Sequence, residues 1–142
     1  MRLLIDTHCW LWAMAEPQRL PSDAKRLIQD EKNTIFLSSI SALEIAIKFA
    51  LRKLNLPAHP NEYIPSRVSA NRMTHLPVYV THALRVGELP RHHNDPFDRV
   101  LIAQSQIEEL PLMTADAVIA QYDVDIIWAG RGRQPRRGRA RK

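Results

Sequence analysis

The sequence of 142 residues contains one cysteine, Cys9, so it cannot form an internal disulfide. A single thiol also leaves no CxxC pair and no Cys/His set with the spacing of a zinc site. These absences exclude a disulfide scaffold and a zinc module. Any bound metal therefore has to be held by harder ligands.

Glycine is scarce, with four residues in the chain and the first of them at Gly87. The first half therefore contains neither the GxGxxG turn of dinucleotide-binding folds nor the GxxxxGK[ST] loop that surrounds phosphates. No GxSxG elbow occurs, and the lone cysteine has no evident catalytic context. Acidic side chains are left as the best-placed chemistry in the sequence.

Long hydrophobic runs are also missing from the chain. No apolar run reaches the ~18 residues that a membrane span requires, and an acid at position 6 interrupts the first apolar segment too early for a signal peptide. With 45% hydrophobic and 25% charged residues, the chain has the composition of one globular domain with a single core. We therefore expect a soluble, cytoplasmic protein.

The net charge of +5 is concentrated near the C-terminus. Seven of the last twelve residues are arginine or lysine, so the preceding part carries 13 basic and 15 acidic residues. Residues 130–142 alternate arginine with glycine and proline, which predicts a disordered basic tail after a folded domain of residues 1–129. Such a tail either binds RNA phosphates, with Arg136 and Arg137 as contacts, or serves only as a solubilising end.

Short apolar runs alternate with longer amphipathic stretches, which is the pattern of βα units around a parallel sheet. We predict an α/β fold with about five strands and six or seven helices. The helix over 41–53 is the clearest, because Leu43, Ile47 and Leu51 recur at helical spacing. A helix over 61–71 is predicted to be interrupted near Pro65. The predicted strands cover residues 3–5, 34–38, 76–78, 112–114 and 126–128, and the other helices cover 7–15, 22–31, 81–86, 96–108 and a short segment from Ala115.

Four acidic residues occupy equivalent places in this alternation, at a strand end or in the first turn of a helix: Asp6, Glu44, Asp98 and Asp116. In an open parallel sheet, strand ends and the helix starts that follow them face one crevice, so these acids can converge. Crowded carboxylates raise each other's pKa values unless a divalent cation neutralises them, and all-oxygen ligands suit Mg²⁺ or Mn²⁺. Such a site activates water for phosphodiester hydrolysis.

Each acid also has a purely structural interpretation, because free N–H groups and the helix dipole stabilise carboxylates in a first helical turn. Glu44 fits a capping box that starts at Ser41, and it also lies one turn before Lys48. The Asp95-Pro96-Phe97-Asp98 segment fits an N-cap, a proline at the first helical position and a second capping acid. Asp6 has the weakest structural explanation, because a buried carboxylate without a partner is costly.

The segments that carry the four acids resemble, in order and spacing, the successive motifs of PIN-domain ribonucleases. The resemblance covers roughly residues 1–128, and the Asp95-Pro96-Phe97-Asp98-Arg99 block is similar to the VapC branch, the toxins of bacterial and archaeal toxin–antitoxin pairs. The matching segments are Leu3–His8, Ser38–Lys48, His93–Gln104 and Leu112–Asp116.

The resemblance implies an α/β/α sandwich around a central, mainly parallel sheet of about five strands. It also implies a Mg²⁺-dependent endoribonuclease, with Mn²⁺ able to substitute. Its implied partners are an RNA substrate, a VapB-like antitoxin whose C-terminal segment occludes the acidic crevice, and a second copy in a homodimer or a larger toxin–antitoxin assembly. The implied catalytic and metal-binding acids are Asp6, Glu44, Asp98 and Asp116, supported by Thr114 and Asp95.

Several residues beside these motifs have two interpretations. His93 either touches RNA phosphate or transfers a proton, or it is a solvated loop histidine, which is the interpretation we favour. Arg99 either binds RNA phosphate or pairs with an acid. His8 and Cys9 are assigned to packing. The first helix is apolar nearly all round, which predicts burial for about half of it and otherwise an interface.

Two other classes of function remain open from the residues alone. In a non-catalytic nucleic-acid-binding module, the basic tail would bind and the four acids would be helix caps. In an aspartyl phosphatase or phosphotransferase, Asp6 would be the nucleophile, although His8 stands where such enzymes usually carry a second aspartate. Replacing Asp6 with alanine abolishes Mg²⁺-dependent cleavage in the nuclease, whereas deleting residues 130–142 abolishes binding in the binding module.

Overall fold

The computed structural model describes residues 1–137, which form an α/β fold around one five-stranded sheet. The strand order is β3-β2-β1-β4-β5, and all four strand pairings are parallel. The strands are β1 (Arg2–Ile5), β2 (Thr34–Ser38), β3 (Thr74–Leu76), β4 (Leu112–Thr114) and β5 (Ile126–Trp128). The α-helices are α1 (Thr7–Ala15), α2 (Ser22–Gln29), α3 (Ser39–Ala50), α4 (Pro60–Ala70), α5 (Val80–Val86) and α6 (Pro96–Glu108), and two 3-10 helices cover Pro17–Arg19 and Ile119–Gln121.

Apolar layers cover both faces of the sheet. Leu3 and Ile5 of β1 belong to one cluster and Leu4 to the other, because successive strand residues point to opposite faces. The first cluster includes residues of α1 to α4, and the second includes residues of α6. A strand that is covered on both faces has a continuous run of apolar residues rather than alternating apolar and polar residues. Short apolar runs in the sequence therefore indicate a parallel sheet. The predicted α/β/α sandwich is confirmed, and its sheet is wholly parallel.

The start of α3 differs from the sequence prediction. Ser38 at the end of β2 is the N-cap, and its hydroxyl accepts the N–H of Ile40. Ser41 is a buried residue inside the helix, where its Oγ accepts a hydrogen bond of 2.8 Å from Thr7. The capping box proposed for Ser41 and Glu44 is therefore wrong, because the helix begins two residues earlier than predicted. Glu44 therefore does not act as a capping residue of α3.

The apolar stripe that predicted α3 does not face the core. Leu43 is 49% exposed, Ile47 40% and Leu51 58%. The opposite side of the helix buries Glu44 and Ile45, so helical spacing identified the helix but not the face it buries. The stripe is an apolar surface along α3.

Pro65 does not interrupt α4, which runs without a break from Pro60 to Ala70. A proline inside a helix removes one N–H donor, and the carbonyl four residues earlier, that of Asn61, loses its partner. Both residues are exposed, so water can satisfy that carbonyl. The interruption predicted at Pro65 is wrong for this reason. Among residues 1–137, no helix has the length and apolar character needed to cross a bilayer.

Candidate active site

Asp6 occupies the junction between β1 and α1. It is the N-cap of α1, and its Oδ1 accepts the N–H of Cys9 at 2.7 Å. Its Oδ2 accepts the hydroxyl of Thr114 at 2.5 Å. The side chain is 3% exposed, and burial raises its pKa, although these hydrogen bonds act in the opposite direction. Asp6 therefore caps its helix and at the same time presents a carboxylate at the carboxyl edge of the sheet.

Thr114 ends β4 and links two of the predicted site acids. Its hydroxyl donates to Asp6 and accepts the backbone N–H of Asp116 at 3.0 Å. The Oδ1 of Asp116 in turn accepts the N–H of Val118 at 2.8 Å. These bonds stabilise a turn, so the helix predicted from Ala115 is wrong, and the helical segment that follows is the 3-10 helix over Ile119–Gln121.

Glu44 reaches the same region from the middle of α3. Its side chain is 1% exposed, and its Oε2 contacts the ammonium group of Lys48 one turn later, as the sequence spacing predicts. Its Oε1 is buried and has no hydrogen-bond partner among the described residues. A buried carboxylate oxygen without a partner is costly, so this atom points to a ligand that the protein itself does not supply.

The two acids at the start of α6 have different surroundings. Asp95 is the N-cap, its Oδ1 accepts the N–H of Phe97 at 2.8 Å, and Pro96 holds the first helical position. The capping role predicted for Asp95 is confirmed. Asp98 lies in the first turn and is buried, with 7% of its surface exposed. Asp98 is therefore shielded from solvent, whereas Asp95 is partly exposed.

The electrostatics of Asp98 show that the predicted acids converge. Burial and, after it, the neighbouring charges raise its pKa to about 8. The charges responsible belong to Asp95, Asp6, Glu44 and Asp116. The four predicted site acids, from separate segments of the chain, therefore lie close enough for their charges to interact.

His93 belongs to this cluster. Its side chain is 16% exposed, and its Nε2 lies 3.1 Å from Oδ2 of Asp98 and 3.0 Å from Oδ2 of Asp116. The solvated loop histidine that the sequence favoured is therefore wrong. The signal in the sequence was the position of the residue just before the Asp-Pro-Phe-Asp block, but spacing could not show that its ring turns inward.

Arg99 holds the loop before α6 rather than pairing with an acid. Its guanidinium donates to the carbonyls of Val86 at 2.7 Å and Pro90 at 2.9 Å, and to the hydroxyl of Tyr122 at 3.2 Å. These bonds favour a structural role over phosphate binding. Tyr122, which sequence reasoning missed, also accepts the N–H of His93 at 2.7 Å. Nothing in its spacing marked it as part of this loop.

The residues after Asp6 divide between the core and the surface. Cys9 is fully buried, as its assignment to packing predicts, and burial raises the pKa of its thiol. His8 is exposed, with its ring 6.5 Å from that of Trp12, so the packing assignment is wrong for His8. The first helix is buried on one side, where Trp10 has no exposed surface.

The described part of the basic tail follows the surface of the domain. Arg137 lies 3.5 Å from Asp123 and also donates to the carbonyl of Val124. The carbonyl of Arg136 accepts Nε2 of Gln121 at 3.2 Å. Residues 138–142, with the last three cations of the predicted tail, lie outside the described residues. RNA binding by Arg136 and Arg137 stays a prediction.

The donor set fits a hard divalent cation. The four acids supply carboxylate oxygens, which are the ligands that Mg²⁺ and Mn²⁺ prefer. Ligand atoms of His93, Asp98 and Asp116 lie within 4.8 Å of one another. The Oε1 of Glu44 is buried without a partner among the described residues, and burial together with the neighbouring acids raises the pKa of Asp98. A cation would relieve both.

Comparisons with known proteins find similar proteins both in sequence and in structure. Ribonuclease VapC16 of Mycobacterium tuberculosis is 41% identical over 69 residues, which are 46% of this chain and 48% of the relative, so the chain spans about half the length of the curated relative it matches. The VapBC2 complex of Rickettsia felis, bound to a DNA fragment from its promoter, matches with a TM-score of 0.67 and 16% identity over 91% of this chain and 99% of that chain. A toxin–antitoxin complex from Klebsiella pneumoniae matches with a TM-score of 0.59 and 16% identity over 88% and 95% of the two chains.

The two structural similarities, at these identities, establish the fold. The family follows from the sequence model of the PIN domain, which matches residues 3–125, a range that includes Asp6, Glu44, Asp98, Thr114 and Asp116. The resemblance inferred from the motifs is confirmed, and the chain belongs to the PIN domain family.

Proposed function

We propose that the protein is the toxin of a type II toxin–antitoxin pair and acts as a metal-dependent endoribonuclease. The observation that carries the proposal is the convergence of Asp6, Glu44, Asp98 and Asp116 at the carboxyl edge of a parallel sheet, where Asp98 has a pKa raised to about 8. Similarity to a protein named ribonuclease VapC16 and to toxin–antitoxin complexes supports the activity and the biological role.

The reaction is hydrolysis of an RNA phosphodiester bond, in which water attacks phosphorus and the ribose oxygen leaves. The four acids would hold Mg²⁺, with Mn²⁺ as a substitute. Such a cation supplies positive charge for activating water and for stabilising the anionic phosphate. The protein's own contribution is to fix the carboxylates: Thr114 and the N–H of Cys9 orient Asp6, and backbone N–H groups orient Asp116.

The substrate is expected to approach a site of strong negative charge, so the protein needs cations to receive RNA. Of the basic residues near the site, Lys48 is 38% exposed in its side chain and contacts Glu44. The basic tail adds a second positive region, which we propose to increase RNA affinity without taking part in the chemistry.

The proposed protein partners are a VapB-like antitoxin and a second copy of this chain. An antitoxin is present in the structurally similar toxin–antitoxin complex from Klebsiella pneumoniae, and by the family resemblance the antitoxin occludes the acidic crevice. The exposed stripe of α3 and two exposed apolar residues on α5, Val80 and Leu84, support a homodimer, because such surfaces usually mark protein interfaces. A cytoplasmic location follows from the same proposal.

The two alternative functions have less support. In a binding module the acids would serve only as caps, but among the described residues no helix N–H donates to Glu44, which is buried inside α3. In an aspartyl phosphatase, Asp6 would have to attack phosphorus, yet both of its carboxylate oxygens accept hydrogen bonds and it is buried.

The direct test is cleavage of an end-labelled pool of single-stranded RNA by the purified full chain. We expect fragments in millimolar Mg²⁺ or Mn²⁺ and none after chelation by EDTA, with a matched single-stranded DNA pool left intact. Cleavage that persists in EDTA would contradict metal dependence. RNA binding without cleavage at every metal concentration would favour the binding module.

A further inference from the structure

His93 joins two site carboxylates that come from separate parts of the chain. Asp98 lies in the first turn of α6, and Asp116 lies in the turn after β4. The Nε2 atom of His93 is 3.1 Å from Oδ2 of the first and 3.0 Å from Oδ2 of the second. One nitrogen is therefore within hydrogen-bond distance of two carboxyl groups at once.

The other ring nitrogen fixes which atom carries the hydrogen. The backbone N–H of Asp95 lies 3.1 Å from Nδ1 of His93, and a backbone N–H can only donate. Nδ1 must therefore offer its lone pair, which places the ring hydrogen of the neutral imidazole on Nε2. In this tautomer Nε2 donates, and the two carboxylates share its hydrogen.

The loop that carries His93 is itself held in place. The N–H of His93 donates to the hydroxyl of Tyr122 at 2.7 Å, and its carbonyl accepts from Arg99 at 3.4 Å. The guanidinium of Arg99 also binds the carbonyls of Val86 and Pro90 in the same loop. Hydrogen bonds therefore hold the backbone of His93 at its N–H and its carbonyl, and a third hydrogen bond holds its ring at Nδ1.

This geometry argues against His93 as a metal ligand. To coordinate a cation, Nε2 would need a free lone pair, so the hydrogen would move to Nδ1 and face the N–H of Asp95. That arrangement places two hydrogens against each other and leaves a half-buried donor without an acceptor. The closeness of His93, Asp98 and Asp116 is better explained by donation than by shared coordination.

The hydrogen bond from His93 orients Asp98, just as other donors orient Asp6 and Asp116. Asp6 accepts from Cys9 and Thr114, and Asp116 accepts from Val118. Asp98 has no hydrogen-bond or ion-pair partner within residues 1–137 apart from His93. Without the Nε2 hydrogen, nothing in that part of the chain would orient the Asp98 carboxylate.

We propose that His93 is a positioning residue, which uses its Nε2 hydrogen to hold Asp98 and Asp116 in the arrangement that receives the divalent cation. The inference rests on the proposed function, because it assigns a role at the same site. Donors behind ligating carboxylates typically change metal affinity by about 10- to 100-fold. Loss of this hydrogen bond is therefore expected to weaken metal binding by a factor in that range.

Two substitutions separate the functions of the two ring nitrogens. In His93→Asn, the side-chain oxygen replaces Nδ1 as acceptor for the Asp95 N–H, and the donor to the carboxylates is lost. In His93→Gln, the amide nitrogen is as many bonds from Cα as Nε2 is, so the donor is retained. Titration of the full chain with Mn²⁺, followed by electron paramagnetic resonance, measures the metal affinity directly.

We expect His93→Asn to raise the dissociation constant for Mn²⁺ by about 10- to 100-fold, and His93→Gln to recover most of the loss. Equal affinity in wild type and His93→Asn, or a loss in His93→Gln alone, would overturn the inference. A nitrogen coupling from a coordinated imidazole in the wild-type Mn²⁺ spectrum would overturn it as well. Failure of the wild-type chain to bind Mn²⁺ would instead overturn the proposed function together with this role.

Discussion

The hydroxyl of Thr114 lies 2.5 Å from Oδ2 of Asp6, across 108 positions of sequence. This bond ties the end of β4 to the end of β1, which are neighbouring strands of the sheet. The same hydroxyl accepts the N–H of Asp116. One threonine side chain therefore sets the positions of two site acids.

Thr114→Val tests this relationship, because valine has nearly the same shape and lacks the hydroxyl. The buried oxygen of Asp6 and the N–H of Asp116 would both lose a partner. We expect the free energy of unfolding to fall by about 1–3 kcal/mol and RNA cleavage to decrease strongly. Urea unfolding and a cleavage assay measure the two effects.

Thr114→Ser is the matched control, because serine keeps the hydroxyl and loses only a methyl group. It should retain most of the activity. A valine variant with wild-type cleavage and stability would show that the hydrogen bond does not orient the site.

Divalent cations are expected to raise the melting temperature, because a ligand that binds only the folded state stabilises it. The size of the shift should depend on pH. In the absence of metal, the pKa of Asp98 is raised to about 8 from 3.8, so the folded protein binds more protons between these values. The stability contributed by Asp98 is then complete below pH ~4 and is lost as the pH rises to about 8.

Cation binding needs the ionised carboxylate, so the shift caused by Mg²⁺ should increase from pH 6 to pH 8. Thermal scans with and without Mg²⁺ at both pH values measure it. In Asp98→Asn the pH dependence of the shift should be much weaker, and in Asp6→Asn/Asp98→Asn the shift should disappear. A wild-type shift of the same size at both pH values would contradict the raised pKa.

Lys48→Met tests whether Lys48 compensates the charge of Glu44. The carboxylate of Glu44 is 1% exposed, so loss of the ammonium group leaves a buried charge with no partner. We expect the metal-free variant to lose on the order of 1–3 kcal/mol of stability, and Mg²⁺ to restore part of it. Chemical denaturation with and without Mg²⁺ provides the measurement.

The double variant Lys48→Met/Glu44→Gln is the control, since it removes the charge that Lys48 compensates. It should be more stable than Lys48→Met alone in the absence of metal. Equal stability of the two variants would mean that the contact contributes nothing.

Truncation after Gly132 tests the basic tail and removes six cations while keeping β5 and the residues that pair with β4. Each phosphate contact that is lost should reduce the salt dependence of RNA binding by a slope of about 0.7 for single strands. We expect a flatter plot of affinity against salt and unchanged cleavage at saturating RNA. Loss of turnover at saturation would place the tail in the active site.

The sequence predicts much of the fold because parallel strands buried on both faces are short apolar runs that stand out from their surroundings. The helices were harder to place. In α3 the apolar stripe of Leu43, Ile47 and Leu51 is exposed, because the helix turns its other face, with Glu44, towards the site. The spacing of apolar residues shows that a segment is helical, but not whether its apolar face packs in the core or lies at the surface. The sequence therefore predicts helix α3 but not its orientation.

The candidate site shows the same division. The strand ends place Asp6 and Asp116 at one edge, which topology alone predicts. The sequence does not predict that His93 points inward or that Arg99 binds loop carbonyls. Both features depend on the conformation of one loop, which is held by Tyr122, a residue far away in sequence. Contacts of this kind require tertiary structure.

The most direct test of the account compares RNA cleavage by Asp95→Asn and Asp98→Asn, two changes of the same chemistry three residues apart. Asparagine at position 95 still caps α6, so stability should change by only a few tenths of a kcal/mol and cleavage should largely survive. Asparagine at position 98 removes a charge from the proposed cation site and should lower the cleavage rate by orders of magnitude in a folded protein. Severe loss in Asp95→Asn with full activity in Asp98→Asn would contradict the assignment of the site.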